Sequence, residues 1–172
     1  MSDRLHARVS AGVLIPGVSP RLAGALIGCA AALTMMPEPF SYIAMALALV
    51  GALFPSTLAT WGCALALALT QLARTPDAGD WRPYVTLAVV HLLHVIGALA
   101  LVVEPGGSLQ VRALLRPLRR WLVLQLPAQA VLALVLALSG TNAPRGLPTA
   151  GVFAVIAAAC VAGIVVLTLR RR

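Results

Sequence analysis

Apolar residues in this chain do not alternate with polar ones at a helical or strand period; they run together. Long apolar stretches occupy residues 22–36, 40–54, 57–73, 84–103, 121–139 and 149–169, with prolines and charges between them. The last three have the roughly 20-residue length that an α-helix needs to cross a hydrocarbon core of about 30 Å. The first three are shorter. Residues 40–73 carry no charge, and as one helix they would measure about 50 Å, so the chain has to turn. Phe54-Pro55-Ser56-Thr57 supplies the turn, with a proline and hydroxyls suited to capping the next helix. Pro37-Glu38-Pro39 separates the first run from the second, because two prolines are costly inside a helix. The pattern predicts an all-α, polytopic transmembrane helix bundle of about six spans, a single domain over residues 1–172. A re-entrant pair in place of two short spans leaves four and fits the same pattern.

Composition agrees with burial in lipid. Hydrophobic residues make up 60% of the chain and charged ones 10%, with a mean hydropathy of +0.96; soluble domains carry about a quarter charged residues. All 13 basic residues are arginine, and the net charge is +8. In a soluble protein that charge would suggest nucleic acid, but no aromatic-basic platform or known module accompanies it, so no nucleic-acid partner is expected. The arginines instead fix topology. With six spans and a cytoplasmic N-terminus, ten lie inside: Arg4, Arg8, Arg21, Arg112, Arg116, Arg119, Arg120 and Arg170 to Arg172. Three, Arg74, Arg82 and Arg145, lie outside. Both termini are then cytoplasmic, and four spans would give the same result. Trp81 and Tyr84 before span four and Trp121 before span five fit interfacial anchoring.

In overall style (small, polytopic, rich in Ala, Leu, Val and Arg, and free of lysine) the chain resembles uncharacterised integral membrane proteins of high-GC actinobacteria. That resemblance covers the whole chain and rests on no motif. It implies a plasma-membrane location and transfers no functional residue.

Two short signals lie near the N-terminus. Leu26-Ile27-Gly28-Cys29 resembles a lipobox, but Arg21 leaves too short an apolar stretch before the cysteine, and the chain continues apolar after it. Gly24 and Gly28 form a GxxxG stripe that lets helix backbones approach closely, between neighbouring spans in preference to a homodimer.

Candidate chemistry centres on Val90-His91-Leu92-Leu93-His94-Val95 in span four. Residues three apart on a helix share a face, so one helix cannot supply both axial ligands of a haem, and the remaining histidine is His6 in the basic tail. Zinc would accept His94 with Cys29, Cys63 and Cys160, but these come singly from separate spans and small buried cysteines are common. No metal or cofactor is expected. Gln125 and Gln129 share a face of span five, with Pro127 between them, and helix rise from Trp121 places Gln129 near the depth of His94. The four form a candidate intramembrane polar cluster: His91, His94, Gln125 and Gln129. It serves as interhelical glue, or it lines a hydrated path for protons or ions.

Residues 110–120 place Arg112, Arg116, Arg119 and Arg120 opposite an apolar face of Val111, Leu114, Leu115, Leu118 and Leu122. That segment is expected on the cytoplasmic leaflet, with its arginines on anionic lipid headgroups and Pro117 kinking or ending it. Catalytic constellations are absent from the sequence: Glu38 and Glu104 are expected on opposite membrane faces, so no enzyme is indicated. The remaining expectation is an accessory or scaffold subunit of a larger membrane assembly, with the bilayer and other membrane subunits as partners. The alternative is a small transporter or proton-linked carrier using the His/Gln cluster.

Overall fold

The computed structural model describes residues 12–75 and 79–140. Within them run five α-helices: α1 (Ser19–Met35), α2 (Phe40–Leu53), α3 (Ala59–Leu72), α4 (Arg82–Val102) and α5 (Val111–Gly140). The first four alternate in direction and close into a ring, α1 against α2 and α4, α3 against α2 and α4. α5 lies outside the ring, against α4.

Local chemistry sets the ends of these helices. Pro20 sits in the first turn of α1, where its missing N–H costs nothing, and Met36, just before Pro37, is already extended. Between α2 and α3, Pro55–Thr57 forms a single 3-10 turn, followed by Leu58 in the left-handed region at φ 59°. The hydroxyl of Thr57 donates to the Phe54 carbonyl at 2.7 Å and accepts from the Ala59 N–H at 3.4 Å. The expected cap therefore works from one residue outside the N-cap, Leu58, and α3 begins two residues later than the sequence pattern suggested.

Side-chain size sorts by depth. The centre is built of Ala31, Ala32, Ala44, Ala48, Cys63, Ala64, Leu67 and Leu93, mostly small residues, and all are buried. Large residues on the same helices point outward: Leu22, Leu26 and Leu33 on α1, Leu49 and Leu53 on α2, Leu65 and Leu69 on α3. A soluble four-helix bundle distributes them the other way, with leucine inside and charge outside. Small residues let backbones approach. A Cβ on Gly28 would lie 2.8 Å from Ala48 Cβ and 3.3 Å from Cys63 Sγ, and one on Gly24 would lie 3.2 Å from Ile96 Cγ2. The Gly24/Gly28 stripe is thus taken up inside the bundle, by α2, α3 and α4.

Length separates the helices into two groups. α4 and α5 are long and apolar enough to cross a membrane. α1, α2 and α3, at 17, 14 and 14 residues, measure about 26, 21 and 21 Å and fall short of about 30 Å. The apolar run 149–169 lies outside the described residues.

Two features depart from the expected all-α pattern. Leu14–Pro16 (β1) and Ser108–Gln110 (β2) pair antiparallel, with Ile15 opposite Leu109. This ribbon is extended by Gly17 N–H on the Gly107 carbonyl at 2.8 Å and Val111 N–H on the Val13 carbonyl at 3.0 Å. It fastens the start of α1 to the α4–α5 turn, and Arg21 Nη2 reaches the Val103 carbonyl at 3.4 Å on the same side. The second concerns the basic segment: from Val111 it forms the first turns of α5, which continues through Pro117 and Pro127 to Gly140. Each proline removes one N–H donor, while the leucines, alanines and arginines around them are strong helix formers. Arg112, Arg116, Arg119 and Arg120 are all exposed along this extension.

Packing this tight makes a specific prediction. A Cβ on Gly51 would overlap Thr60 Oγ1 and stand 2.5 Å from the Thr60 backbone nitrogen, which no rotamer change can relieve. Alanine gains about 1 kcal/mol of helix propensity over glycine, but overpacking costs about 1–3 kcal/mol. Gly51→Ala should therefore lower the thermal midpoint in detergent. Gly106→Ala, with nothing within 4 Å of the added carbon, should leave it unchanged. An unaltered midpoint for Gly51→Ala would contradict the α2–α3 contact.

Candidate functional site

α4 passes between α3 and α5, and its two histidines divide between those neighbours. Residues three apart differ by about 60° around a helix, and the boundary between the neighbours falls inside that angle. His91 turns to α5, with Nδ1 at 3.1 Å from Gln125 Oε1 and its ring 6.5 Å from that of Trp121, tilted 54°. His94 turns to α3, where Trp61 Nε1–H donates to its Nδ1 at 2.8 Å and the rings meet edge-on at 5.9 Å.

Donor and acceptor rules then assign the tautomers. An indole N–H only donates, so His94 Nδ1 accepts and its ring proton sits on Nε2. An amide oxygen only accepts, so His91 Nδ1 carries the proton toward Gln125. Neighbours on the same helix are held in opposite tautomers.

Gln129 does not approach His94. Its Nε2 donates to the Tyr84 backbone carbonyl at 2.8 Å, in the first turn of α4. The expected four-residue cluster is therefore three separate interhelical contacts: His91 with Gln125, His94 with Trp61, and Gln129 with Tyr84. The reason is register. Taking 110–120 as an in-plane segment started span five at Trp121 and paired Gln129 with His94. Because α5 starts at Val111, about three turns earlier, the antiparallel hairpin slides and Gln129 falls opposite Tyr84.

One stripe of α5 is incompletely satisfied. Trp121 Nε1, Gln125 Nε2 and Gln129 Oε1 are buried and have no hydrogen-bond partner. Spaced by four, these residues share a helix face, and Gln125 itself is 6% exposed. Trp121, expected as an interfacial anchor, packs instead on His91. Trp61 escaped the sequence reading altogether, although it carries the indole donor of the third apolar run. Trp81 stays at the end of α4, exposed, with the Arg82 guanidinium 5.8 Å from its ring centre.

Other candidate groups stand apart. The hydroxyl of Tyr42 donates to Glu38 Oε1 at 2.8 Å at the end of the bundle away from the ribbon, while Glu104 sits in the α4–α5 turn at the ribbon end. Cys63 is buried in the core and Cys29 half-buried, both as free thiols; Cys160 lies outside the described residues. Among the described residues, no group of three or more His, Cys, Asp or Glu side chains comes together in a way that would hold a metal ion. The sequence matches no family model, and comparison with curated proteins and with solved structures returns no match.

The His91–Gln125 contact predicts an asymmetry. His91→Leu leaves the buried Gln125 amide with no partner at all, at a cost of about 1–3 kcal/mol. Adding Gln125→Leu removes the stranded amide and should recover most of that loss in reversible unfolding from mixed micelles. Purely additive losses in the double variant would contradict the contact.

Proposed function

We propose that the chain is a multi-pass plasma-membrane protein that serves as an accessory or scaffold subunit of a larger membrane assembly. The observation that carries this reading is the inverted side-chain distribution, with small residues central and leucines peripheral. Lipid tails are as apolar as leucine, so helix association in a bilayer relies on close packing of small residues and on interhelical hydrogen bonds. The two long helices fit the same reading: 28% of the apolar window in α4 and 11% of that in α5 is buried, unlike the core helices of a soluble protein. Short α1, α2 and α3 would be accommodated by local thinning of the bilayer around their longer neighbours.

Charge supports an orientation. The ribbon end carries Arg21, Arg112 and Arg116 against Glu104, while the other end carries Arg74 and Arg82 against Glu38 and Asp80; Arg119 and Arg120 stand farther along α5, next to Trp121 and level with the middle of α4. The positive-inside rule favours the ribbon end as the cytoplasmic one, with exposed Arg112 and Arg116 against anionic lipid. Six spans and a cytoplasmic C-terminus follow if 149–169 crosses as well.

The scaffold reading is preferred because the polar groups of α4 are occupied in contacts with two different neighbours and form no continuous path. α5 adds an outer surface, with Leu115, Leu122, Val123, Leu126 and Leu134 exposed beyond the ring. The unpartnered atoms of Trp121, Gln125 and Gln129 favour the second reading, a proton-linked carrier with a hydrated α4–α5 seam.

Purification from native membranes in mild detergent separates the two. A subunit should migrate well above its own 17.8 kDa plus micelle, with stoichiometric partners. Val123→Trp with Leu126→Trp, on the outer face of α5, should release them, while Leu49→Trp on α2 should not. A solitary, monodisperse protein whose liposome proton flux is abolished by His91→Ala would overturn the scaffold reading in favour of the carrier.

A further inference from the structure

At the end of the bundle opposite the ribbon, a groove of about 520 Å³ opens between the α1–α2 turn, the first turn of α2 and the last turns of α3. Phe40 and Ile43 form one wall and Leu69 the other, and all three remain open to the outside. Along α3 and the residues just past its end the lining passes from Ala66 and Leu69 to Thr70 and Arg74, a change from apolar to cationic.

Arg74 is held in place, and among the described residues no carboxylate pairs with it. Its Nη2 donates to the Met35 carbonyl at 2.7 Å, which uses one of five N–H donors. Among the described residues, the carboxylates at this end are engaged elsewhere. Asp80 pairs with Arg82 at 3.8 Å and accepts from its backbone N–H at 3.0 Å. Glu38 accepts from Tyr42, whose position on α2 lies more than a quarter turn from both Phe40 and Ile43.

We infer that this groove binds one anionic phospholipid of the outer leaflet, its phosphate on the Arg74 guanidinium and an acyl chain between α2 and α3. The inference rests on the membrane reading above. A guanidinium forks onto phosphate oxygens, the apolar walls exclude water from the tail, and a headgroup bearing its own cation is repelled by Arg74 where an uncharged glycerol is not. The site is distinct from the arginine-rich start of α5, which stands at the other end of the bundle.

Native mass spectrometry of the full chain in neutral detergent tests this, with Arg112, Arg116, Arg119 and Arg120 all changed to Gln so that the start of α5 does not contribute. Phosphatidylglycerol should be retained over phosphatidylcholine by about fivefold, the preference expected of one arginine near a lipid surface. Arg74→Gln should abolish the preference and Arg74→Lys should keep it. Ile43→Trp should fill the groove and remove both lipids, with the helical circular dichroism of each variant unchanged. Equal retention of the two lipids, or a preference that survives Arg74→Gln, overturns the site. A chain that stays dispersed in buffer without detergent overturns the membrane reading itself, a result distinct from either.

Discussion

Close approach of helix backbones at Gly28, Ala48 and Cys63 is the constraint on which the rest of the structure depends. Three helices meet there through a glycine, an alanine and a thiol, closed on the α4 side by buried Leu93. Dispersion contacts between such surfaces are individually small and collectively large, and they need no difference between lipid and protein interior to be favourable. With the centre filled mostly by backbone and small side chains, Leu67 and Leu93 excepted, most leucines of α1, α2 and α3 have only the outside to occupy. The polar contacts of α4 with α3 and α5 lie at the flank of this apolar centre.

α4 is the element through which that flank is organised. It closes the ring between α1 and α3, and it carries α5 on its outer side. The polar groups it presents divide between two neighbours: the His94 ring nitrogen meets α3, and the His91 ring and the Tyr84 carbonyl meet α5. Interhelical hydrogen bonds in membrane proteins contribute modestly, about 0.6 kcal/mol on average, so their value here lies in register. One sliding step of α5 against α4 would strand both glutamines and His91 together. The ribbon between β1 and β2 reinforces the same register from its own end of the bundle, because it fixes where the α4–α5 turn sits relative to α1.

Much of this was legible in the sequence, and the failures have physical causes. Helices α1, α2 and α4 begin and end near where prolines and charges predict, since those residues act locally. The GxxxG stripe at Gly24 and Gly28 marked a close approach correctly, without saying to which helices. The ribbon was invisible because Leu14–Pro16 and Ser108–Gln110 are short, far apart in sequence, and show no alternation of their own. The largest misjudgement concerned α5. Arginines and Pro117 suggested a boundary before Trp121, yet an exposed helical extension tolerates both. That single error moved Gln129 by several turns and produced a cluster that the fold divides. Trp61 was missed because an aromatic in an apolar run reads as packing, and its N–H matters only once His94 is known to face it.

Leucines turned outward into hydrocarbon are the central claim, and spin labels report on it directly. Single cysteines at Leu26, Leu49, Leu65 and Leu126, introduced after replacing the native cysteines and labelled in reconstituted bilayers, should collide readily with oxygen and poorly with a water-soluble nickel chelate. Ready access of the chelate to the middle of these helices would place their outer faces in water and contradict the account.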